Sequence, residues 1–318
     1  MGHGLAGENM QTRPWDVVAL GEAMVEFNQT APHQPQYLQD FGGDTSNVAI
    51  AAARAGARTA YLTRIGADNF GRALLQLWAQ EGVNTSGVTT AGASHTGIYF
   101  VTHGQSGHEF HYLRAHSAAS RMTPQWLSGT PTELIRSAVF LHLSGISLAI
   151  SPGACDTGFE AMAAAREAGT QVAFDSNLRL KLWPLARARA CTTQAVAMCD
   201  VFLPSLDDMQ ALTGLTDPGD IVRWGHDHGA PTVVLKLGAE GSLVSDGHGR
   251  VHIPARHVMV RDATGAGDCF CGNLLARLAK GDDVFAAARY ANAAASLSVQ
   301  GFGAVAPLPR SGAVLTVL

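Results

Sequence analysis

The chain has 318 residues, of which 47% are hydrophobic and 15% are charged, so it holds enough apolar material for a large core and is not a disordered, charge-rich chain. Its formal net charge of −4 excludes the strong basic field of a protein that binds nucleic acid or an anionic membrane. The apolar runs fall short of the roughly 20 residues of a membrane-spanning helix.

The N-terminal residues, 1–15, are rich in glycine and polar side chains and lack the apolar segment of a secretory signal. We expect them to form a disordered extension of a cytoplasmic protein whose single domain covers 16–318. The five cysteines are odd in number and lack zinc-binding spacing, which agrees with reduced thiols in that compartment.

Short β-type runs alternate with longer, alanine-rich segments of helical period along most of the chain. The run "VVALGEAMVEF" is followed by "TSNVAIAAARAG", then by "RTAYLTRIG" and "NFGRALLQLWAQEG", and the alternation resumes at "SAVFLHLSG". Strand, helix and strand in this order predict parallel pairing with right-handed crossovers. The predicted fold is a doubly wound α/β/α sandwich.

Two segments interrupt this alternation, at about 24–41 and 95–115. Both alternate apolar and polar residues, contain turn signals, and have no helix between their strands. If the two segments pair with each other, they form a small β-sheet that covers the ligand crevice as a lid. The alternative is a pair of separate surface hairpins.

Polar residues follow several of the predicted parallel strands. Asn177 follows "QVAFD", Ser205 follows "DVFLP", and Lys236 and Gly238 end "VVLKLG". Ligands of open parallel sheets bind beyond the carboxyl ends of the strands, so we expect these residues to line the ligand crevice.

The stretch "VRDATGAGDCFCGNLLARL", residues 260–278, places Gly265, Ala266 and Gly267 before Asp268 at the start of a helical pattern. The first turn of a helix has unpaired N–H groups, and glycine lets an anion approach them. The acid either caps the helix or accepts a proton beside an anion hole, as phosphoryl transfer requires. The chain has neither a P-loop nor a dinucleotide-binding glycine motif.

Two stretches resemble the signatures of one enzyme family. "DATGAGD", residues 262–268, is similar to the D-T-x-G-A-G-D signature of the ribokinase-like (pfkB) carbohydrate kinases, and "GGDTSNVAIAAARAG", residues 42–56, is similar to their N-terminal signature. The resemblance covers about 17–309. Within the family, "TGIYF", "FHYLRAHSAAS" and "DSNLRLKLW" most resemble kinases of 2-keto-3-deoxygluconate. The resemblance implies the ribokinase-like fold with its lid and a sugar kinase that uses ATP and Mg²⁺.

The resemblance also implies roles for individual residues. Asp268 would deprotonate the sugar hydroxyl, with the amides from Gly265 through Ala266 and Gly267 to Asp268 as the anion hole. An acidic sugar suits arginine, whose planar fork binds a carboxylate at two points. The residues implied to hold the sugar are Gly42, Gly43, Asp44, Asn47, Tyr99, Tyr112, Arg114 and Arg179.

Several of these residues have structural alternatives. Tyr99 and Tyr112 also fit ordinary half-buried strand aromatics, and Arg114 fits a solvated charge on an edge strand. The turn "KLGAEGS", residues 236–242, is similar to the K-x-G-x-x-G turn of the family but alone equally fits a hairpin connection.

On the nucleotide side, the resemblance implies a Mg²⁺ contact at Asp208. This residue stands in "SLDD" where many family members carry N-x-x-E. Because aspartate is one methylene shorter than glutamate, it would act directly or through water. Ala263 stands in place of the usual threonine, which removes one hydroxyl near the anion hole. The residues implied to line the ATP site are Asn177, Ser205, Lys236, Gly238, Gly241 and Asn292.

The sequence therefore predicts ATP-dependent phosphorylation of 2-dehydro-3-deoxy-D-gluconate at its terminal (6-) hydroxyl. The alternatives are a fructokinase or another sugar kinase of the family, and a sugar-binding protein that has lost catalysis. The expected partners are the sugar acid and ATP, without nucleic acid or membrane. A lid edge with exposed apolar side chains further predicts a homodimer or larger homo-oligomer.

Overall fold

The computed structural model describes residues 13–32, 34–104 and 107–318. Of the extension expected at 1–15, residues 1–12 lie outside the described residues, and the first strand begins at Trp15.

Strands and helices alternate along most of the described chain. The strands are β1 (Trp15–Leu20), β2 (Met24–Gln29), β3 (Tyr37–Gly42), β4 (Thr59–Gly66), β5 (Val88–Ala91), β6 (Gly97–Gly104), β7 (Gly107–Leu113), β8 (Ala138–Ser144), β9 (Gln171–Asp175), β10 (Val201–Leu203), β11 (Thr232–Lys236), β12 (Ser242–Ser245) and β13 (Arg250–Ile253). The α-helices are α1 (Asp44–Arg54), α2 (Asn69–Glu81), α3 (Thr130–Arg136), α4 (Gly145–Ala149), α5 (Pro152–Glu167), α6 (Leu185–Met198), α7 (Leu206–Thr213), α8 (Pro218–Asp227), α9 (Ala266–Ala279), α10 (Val284–Ser298) and α11 (Ser311–Leu315).

A nine-stranded sheet lies at the centre, in the order β13-β12-β11-β10-β9-β8-β1-β4-β5. Its strands run parallel except for β12 and β13, which pair antiparallel at one edge. The chain winds in opposite directions on the two sides of the β1–β8 pair, as in a doubly wound sheet, and such a switch point opens a crevice at the carboxyl ends of the strands. The predicted α/β/α sandwich is confirmed.

Each face of this sheet is covered by helices, because the central strands are apolar along most of their length and on both sides. In β1, Val17 and Ala19 pack toward α1, α9 and α10, whereas Val18 and Leu20 pack toward α3, α5 and α6. All four residues are at most 1% exposed. No helix in the described ranges is both long and apolar enough to cross a membrane.

A second sheet has the order β3-β2-β6-β7. Its outer pairs, β2–β3 and β6–β7, are antiparallel hairpins, and β2 pairs parallel with β6 from Met24 opposite Gly97 onward. The two irregular segments therefore meet, so the predicted lid is confirmed and the alternative of two separate hairpins is wrong. Since β2 follows β1 after a three-residue connection, the lid stands at the carboxyl-end edge of the main sheet.

Candidate active site

The helix α9 begins at the crevice, where the sequence predicts an anion hole. Gly265 takes the N-cap position with φ of 73°, a left-handed conformation that glycine adopts without strain, and a Cβ there would lie 3.1 Å from the carbonyl oxygen of Ala304. At Gly267 a Cβ would meet only the Nζ of Lys236, at 3.6 Å. The N–H of Ala266 donates to the carbonyl oxygen of Ala263 at 3.2 Å, whereas the N–H groups of Gly267 and Asp268 have no acceptor among the described residues and are open to an approaching anion.

Asp268 is the third residue of α9, so Gly265 and not Asp268 holds the cap position. Its Oδ2 accepts a hydrogen bond from Asn47 Nδ2 at 2.8 Å. The side chain is partly exposed, yet burial, followed by the charge of Asp44, raises the pKa of Asp268 to about 7. A carboxylate with this pKa is well matched to accepting a proton near neutral pH.

Asn47 reaches Asp268 because α1 and α9 pack closely. Gly272 faces α1, and a Cβ at that position would lie 2.5 Å from the carbonyl oxygen of Val48 and 2.7 Å from the Cβ of Ala51. Only a glycine allows this separation of the two helices. The alanine-rich pattern of α1 and the glycine of α9 therefore bring the amide and the carboxylate together.

Asp44 forms the floor of the crevice at the start of α1. It is 8% exposed, and its Oδ2 accepts hydrogen bonds from the Oγ of Ser144 and from Asn177 Nδ2, the latter at 3.0 Å. Its Oδ1 is buried without a hydrogen-bond partner among the described residues, which leaves an acceptor for a ligand hydroxyl. The preceding Gly43, with φ of 112°, sits where a Cβ would lie 2.5 Å from the Glu22 carbonyl oxygen.

Two tyrosines of the lid lie side by side above this floor. Tyr99 and Tyr112 are paired across β6 and β7, with ring centroids 5.6 Å apart. The Tyr99 hydroxyl donates to Glu26 and fills the space left by the missing side chain of Gly42. Tyr99 is therefore a buried positioning element in this conformation, whereas Tyr112 is 38% exposed and available to a ligand.

The two predicted substrate arginines differ in their partners. Arg114 forms an ion pair with Glu22, which is 1% exposed and also accepts from the hydroxyl of Ser117. Arg179 donates to the carbonyl oxygen of Leu178 at 2.8 Å and has no carboxylate partner in the described part of the chain. Both guanidinium charges act on the pKa of Tyr112, opposing the rise that burial causes, so both lie near that phenol.

On the nucleotide side, Lys236 lies beside the first turn of α9. Its Nζ pairs with Asp175 Oδ2 at 2.7 Å and donates to the Cys271 Sγ at 3.6 Å. Gly238, with φ of 60°, has no atom within 4 Å of its Cβ position, which leaves open space at the β11–β12 connection. The sequence pattern predicts Lys236 and Gly238 at this edge, and the structure places Lys236 Nζ 3.6 Å from the Cβ position of Gly267.

Three other predicted nucleotide residues have structural partners. Asn292 Nδ2 donates to Ser242 Oγ and to the carbonyl oxygen of Ile253, so this amide fastens α10 to β12 and β13. Gly241 lies where a Cβ would be 2.2 Å from the same carbonyl oxygen. Ser205 caps α7, where its hydroxyl accepts from the backbone of Asp208 at 3.3 Å.

Asp208 is the candidate for a magnesium contact. Its Oδ2 accepts from Ser176 Oγ at 2.7 Å, and no hydrogen bond to its Oδ1 occurs within the described residues. No group of three or more metal-ligating side chains occurs in those ranges. This donor set fits Mg²⁺, which keeps several waters and commonly uses one or two carboxylates together with substrate phosphates.

Sequence reasoning missed the partners that hold the site together. Asp175 and Ser144 end strands of the main sheet, Glu22 follows another, and Glu26 lies within β2. The available signal was position, since Asp175 opens the "DSN" turn that also supplies Asn177. The sequence pattern assigns a role to the amide of that turn and none to its carboxylate.

Comparisons with known proteins agree with this geometry. The family profile described as "pfkB family carbohydrate kinase" matches residues 15–311. A 2-dehydro-3-deoxygluconokinase from Thermoproteus tenax is 36% identical over 307 residues, with 92% of each chain covered. Fructokinase-1 from Zea mays is 33% identical over 325 residues, covering 95% of this chain and 97% of its own.

A solved structure extends the likeness to three dimensions. Fructokinase from Vibrio cholerae O395, in a form with bound fructose, ADP and calcium ion, superimposes with a TM-score of 0.85 at 30% identity. The match covers 95% of this chain and 98% of that one. The similarity therefore spans both the main sheet and the lid.

Proposed function

This chain belongs to the pfkB family of carbohydrate kinases, and from that premise we propose that it transfers the γ-phosphoryl group of ATP to the terminal hydroxyl of 2-dehydro-3-deoxy-D-gluconate. The observation that carries the transfer is the position of Asp268, a carboxylate with a pKa of about 7 beside the open first turn of α9. The choice of a sugar acid is supported by Arg179, a cation near Asp44 and Tyr112 without a carboxylate partner in the described ranges.

In the mechanism, Asp44 and Asn47 hold the sugar so that its terminal hydroxyl faces Asp268. The free Oδ1 of Asp44 accepts from a sugar hydroxyl, and Asn47 fixes the orientation of the Asp268 carboxylate through its 2.8 Å hydrogen bond. Asp268 then accepts the hydroxyl proton as the oxygen attacks phosphorus. Fixed geometry of this kind supplies much of the rate in phosphoryl transfer.

The charge that develops on the transferring group is met by backbone donors. The N–H groups of Gly267 and Asp268, in the first turn of α9, would donate to the oxygens of the γ-phosphoryl group, and the positive end of the helix dipole lies there. A Mg²⁺ ion held by Asp208 would neutralise phosphate charge. Closure of the lid, with Tyr112 on its inner side, would exclude water that otherwise hydrolyses ATP.

A specific observation also favours a second candidate, fructose. The charge of Arg114 is already balanced by Glu22, so only one of the two expected arginines is free to bind a carboxylate. A neutral ketose would need neither arginine.

The deciding experiment measures ADP release from ATP with a panel of sugar acids and neutral sugars. We expect kcat/KM for 2-dehydro-3-deoxy-D-gluconate to exceed that for fructose by about 10- to 100-fold, since a charge-assisted pair contributes about 1.5–3 kcal/mol. Higher kcat/KM for fructose would overturn the sugar-acid assignment. ATP turnover with none of the sugars would favour a binding protein without catalysis.

The Asp268→Asn variant is the matched test of the base. It keeps the shape of the side chain and its hydrogen bond with the Asn47 amide, and we expect kcat to fall by about 10²–10⁴. Asp207→Asn, a change to an exposed acid beside Asp208 in the first turn of α7, should leave kcat unchanged. Near-normal turnover by Asp268→Asn would contradict the assignment of the base.

A further inference from the structure

Asp175 lies where the sugar side and the nucleotide side of the crevice meet. It is the last residue of β9 and is 3% exposed. Its Oδ2 accepts from Lys236 Nζ at 2.7 Å and from the Cys271 thiol at 3.4 Å. Its Oδ1 accepts from the backbone N–H of Asn177 at 3.2 Å. Both oxygens are thus engaged, each toward a different half of the site.

On the nucleotide side, this arrangement leaves one donor of Lys236 free. An ammonium group has three N–H donors. One points to Asp175 and one to Cys271, and the third has no acceptor among the described residues. Because Nζ lies 3.6 Å from the Cβ position of Gly267, a phosphate oxygen seated on the first turn of α9 is within its reach.

On the sugar side, Asp175 supports an unusual backbone conformation. Asn177 has φ of 22°, outside the regions that non-glycine residues normally occupy. The hydrogen bond from its N–H to Asp175 holds this backbone conformation. The same conformation directs Asn177 Nδ2 to Asp44 at 3.0 Å. A strained turn persists only where its surroundings fix it.

We propose that Asp175 is a positioning residue for the kinase reaction, which fixes the Lys236 ammonium beside the anion hole and the Asn177 amide against Asp44. The proposal rests on the proposed function, since it assumes that the γ-phosphate of ATP binds at the N-terminal first turn of α9. Asp175 touches neither ligand in this role and acts through Lys236 and Asn177. The Cys271 thiol contacts both members of the Asp175–Lys236 ion pair.

The test compares Asp175→Asn, Lys236→Met and the double variant, with ATP affinity measured by calorimetry and with steady-state kinetics. We expect Asp175→Asn to weaken ATP binding about tenfold and to raise KM for ATP more than KM for the sugar, because a charge-assisted bond that orients the ammonium is lost. Lys236→Met should weaken ATP binding at least as much. The double variant should bind ATP no more weakly than Lys236→Met, since both changes remove the same interaction.

The double variant also guards against misfolding. Lys236→Met leaves the buried carboxylate of Asp175 without its partner, which is destabilising, whereas the double variant removes both charges. We therefore expect a higher Tm for the double variant than for Lys236→Met. If only the double variant folds, its ATP affinity must still fall about tenfold below wild type.

The matched control is Glu81→Gln, which breaks the Arg54–Glu81 ion pair. That pair has the same 2.7 Å separation and similarly buried side chains, 11% and 9% exposed, but joins α1 and α2 away from the crevice. It should lower Tm without changing ATP affinity or either KM. If Asp175 had a purely structural role, Asp175→Asn would also lower Tm without changing ATP affinity or either KM, and that result would overturn the proposal. Additive losses of ATP affinity in the double variant would overturn it as well.

Failure of the proposed function is distinguishable from failure of this inference. If the wild type binds ATP but phosphorylates none of the sugars, the substrate assignment is wrong, while the ATP affinities of the variants still decide the role of Asp175. If the wild type binds no ATP, both are overturned.

Discussion

At the scale of single residues, Asp268 combines two effects of its surroundings. Burial and the neighbouring charge of Asp44 raise its pKa, and Asn47 and Lys236 oppose the rise. The net result is a carboxylate that is half ionised near neutral pH instead of near pH 4. This shift has opposite consequences for catalysis and for stability.

For catalysis, the rate of the wild-type enzyme should fall on the acid side of pH 7. A base acts only when deprotonated, so kcat/KM, which reports the ionisation of the free enzyme, should drop about tenfold for each pH unit below the pKa of about 7. Lys236→Met should shift the acid-side fall in rate to higher pH, because the ammonium of Lys236 favours the ionised carboxylate. A kcat/KM that stays flat from pH 5 to pH 8 in the pH–rate profile would contradict the base assignment.

For stability, the raised pKa of Asp268 has the opposite effect, because it favours the folded state at low pH. A carboxyl whose pKa rises from 3.8 to about 7 on folding binds its proton more tightly in the folded state, so its contribution to stability is lost as pH rises from about 4 to 7. We therefore expect Asp268→Asn to increase the free energy of unfolding at pH 8, by about 1 kcal/mol after allowance for the solvent access of the crevice. Denaturant melts at pH 4 and pH 8 test this; equal stabilisation at both pH values would be inconsistent with it.

The two arginines should respond differently to truncation. Arg179→Ala removes a cation without a carboxylate partner in the described ranges, so kcat/KM for the sugar acid should fall at least about tenfold while fructose turnover and Tm change little. Arg114→Ala leaves Glu22 buried without its counter-charge and should cost about 3–5 kcal/mol of stability. Adding Glu22→Gln to Arg114→Ala should recover part of that loss. Thermal melts and kinetics on both sugars provide the comparison; an equal loss on both sugars for Arg179→Ala would contradict its role.

At the scale of secondary structure, the contact between α1 and α9 determines the geometry of the base. We expect Gly272→Ala to cost about 1–3 kcal/mol, because the added methyl group would overlap the backbone of α1 at Val48. It should also lower kcat, because α9 must move and carry Asp268 away from Asn47. Gly312→Ala, in α11 with no atom within 4 Å of the new methyl group, is the control and should change neither. An unaltered Tm for Gly272→Ala would show that the helices can separate freely.

The elements themselves were predictable from periodicity, whereas their side-chain partners were not. The alternation of strand and helix indicated the sandwich, and the lack of a helix at 24–41 and 95–115 indicated the lid. The Glu22–Arg114 pair joins the β1–β2 connection to the end of β7, and the two come together only through the pairing of β2 with β6. The Asp175–Lys236 pair spans β9 and β11 across β10, an order that periodicity alone does not specify.

At the scale of the whole molecule, the lid presents apolar side chains to solvent. Leu38 is 66% exposed and Leu113 is 56% exposed, and they lie on the two edge strands of the four-stranded sheet, β3 and β7. Exposed apolar edges of this kind favour pairing with another sheet. We retain the proposal of a homodimer or larger homo-oligomer that associates through the lid.

The association can be tested with substitutions on the lid alone. Leu38→Asp and Leu113→Asp should shift the wild-type assembly toward monomer in light scattering, because each places a charge within an apolar contact. Val251→Asp, at a similarly exposed position (43%) on β13 of the main sheet, should leave the mass unchanged. A monomeric wild type at micromolar and higher concentrations would overturn the proposal.

The pairing of β2 with β6 has a consequence for how the chain folds. The two strands are adjacent in space, but α1, β4, α2 and β5 all lie between them in the sequence. Contacts between distant segments form late, since closing a long loop costs entropy before any contact is gained. On the ribosome, β2 and β3 therefore remain without their partner strand until β6 has emerged, so completion of the lid depends on the order of synthesis.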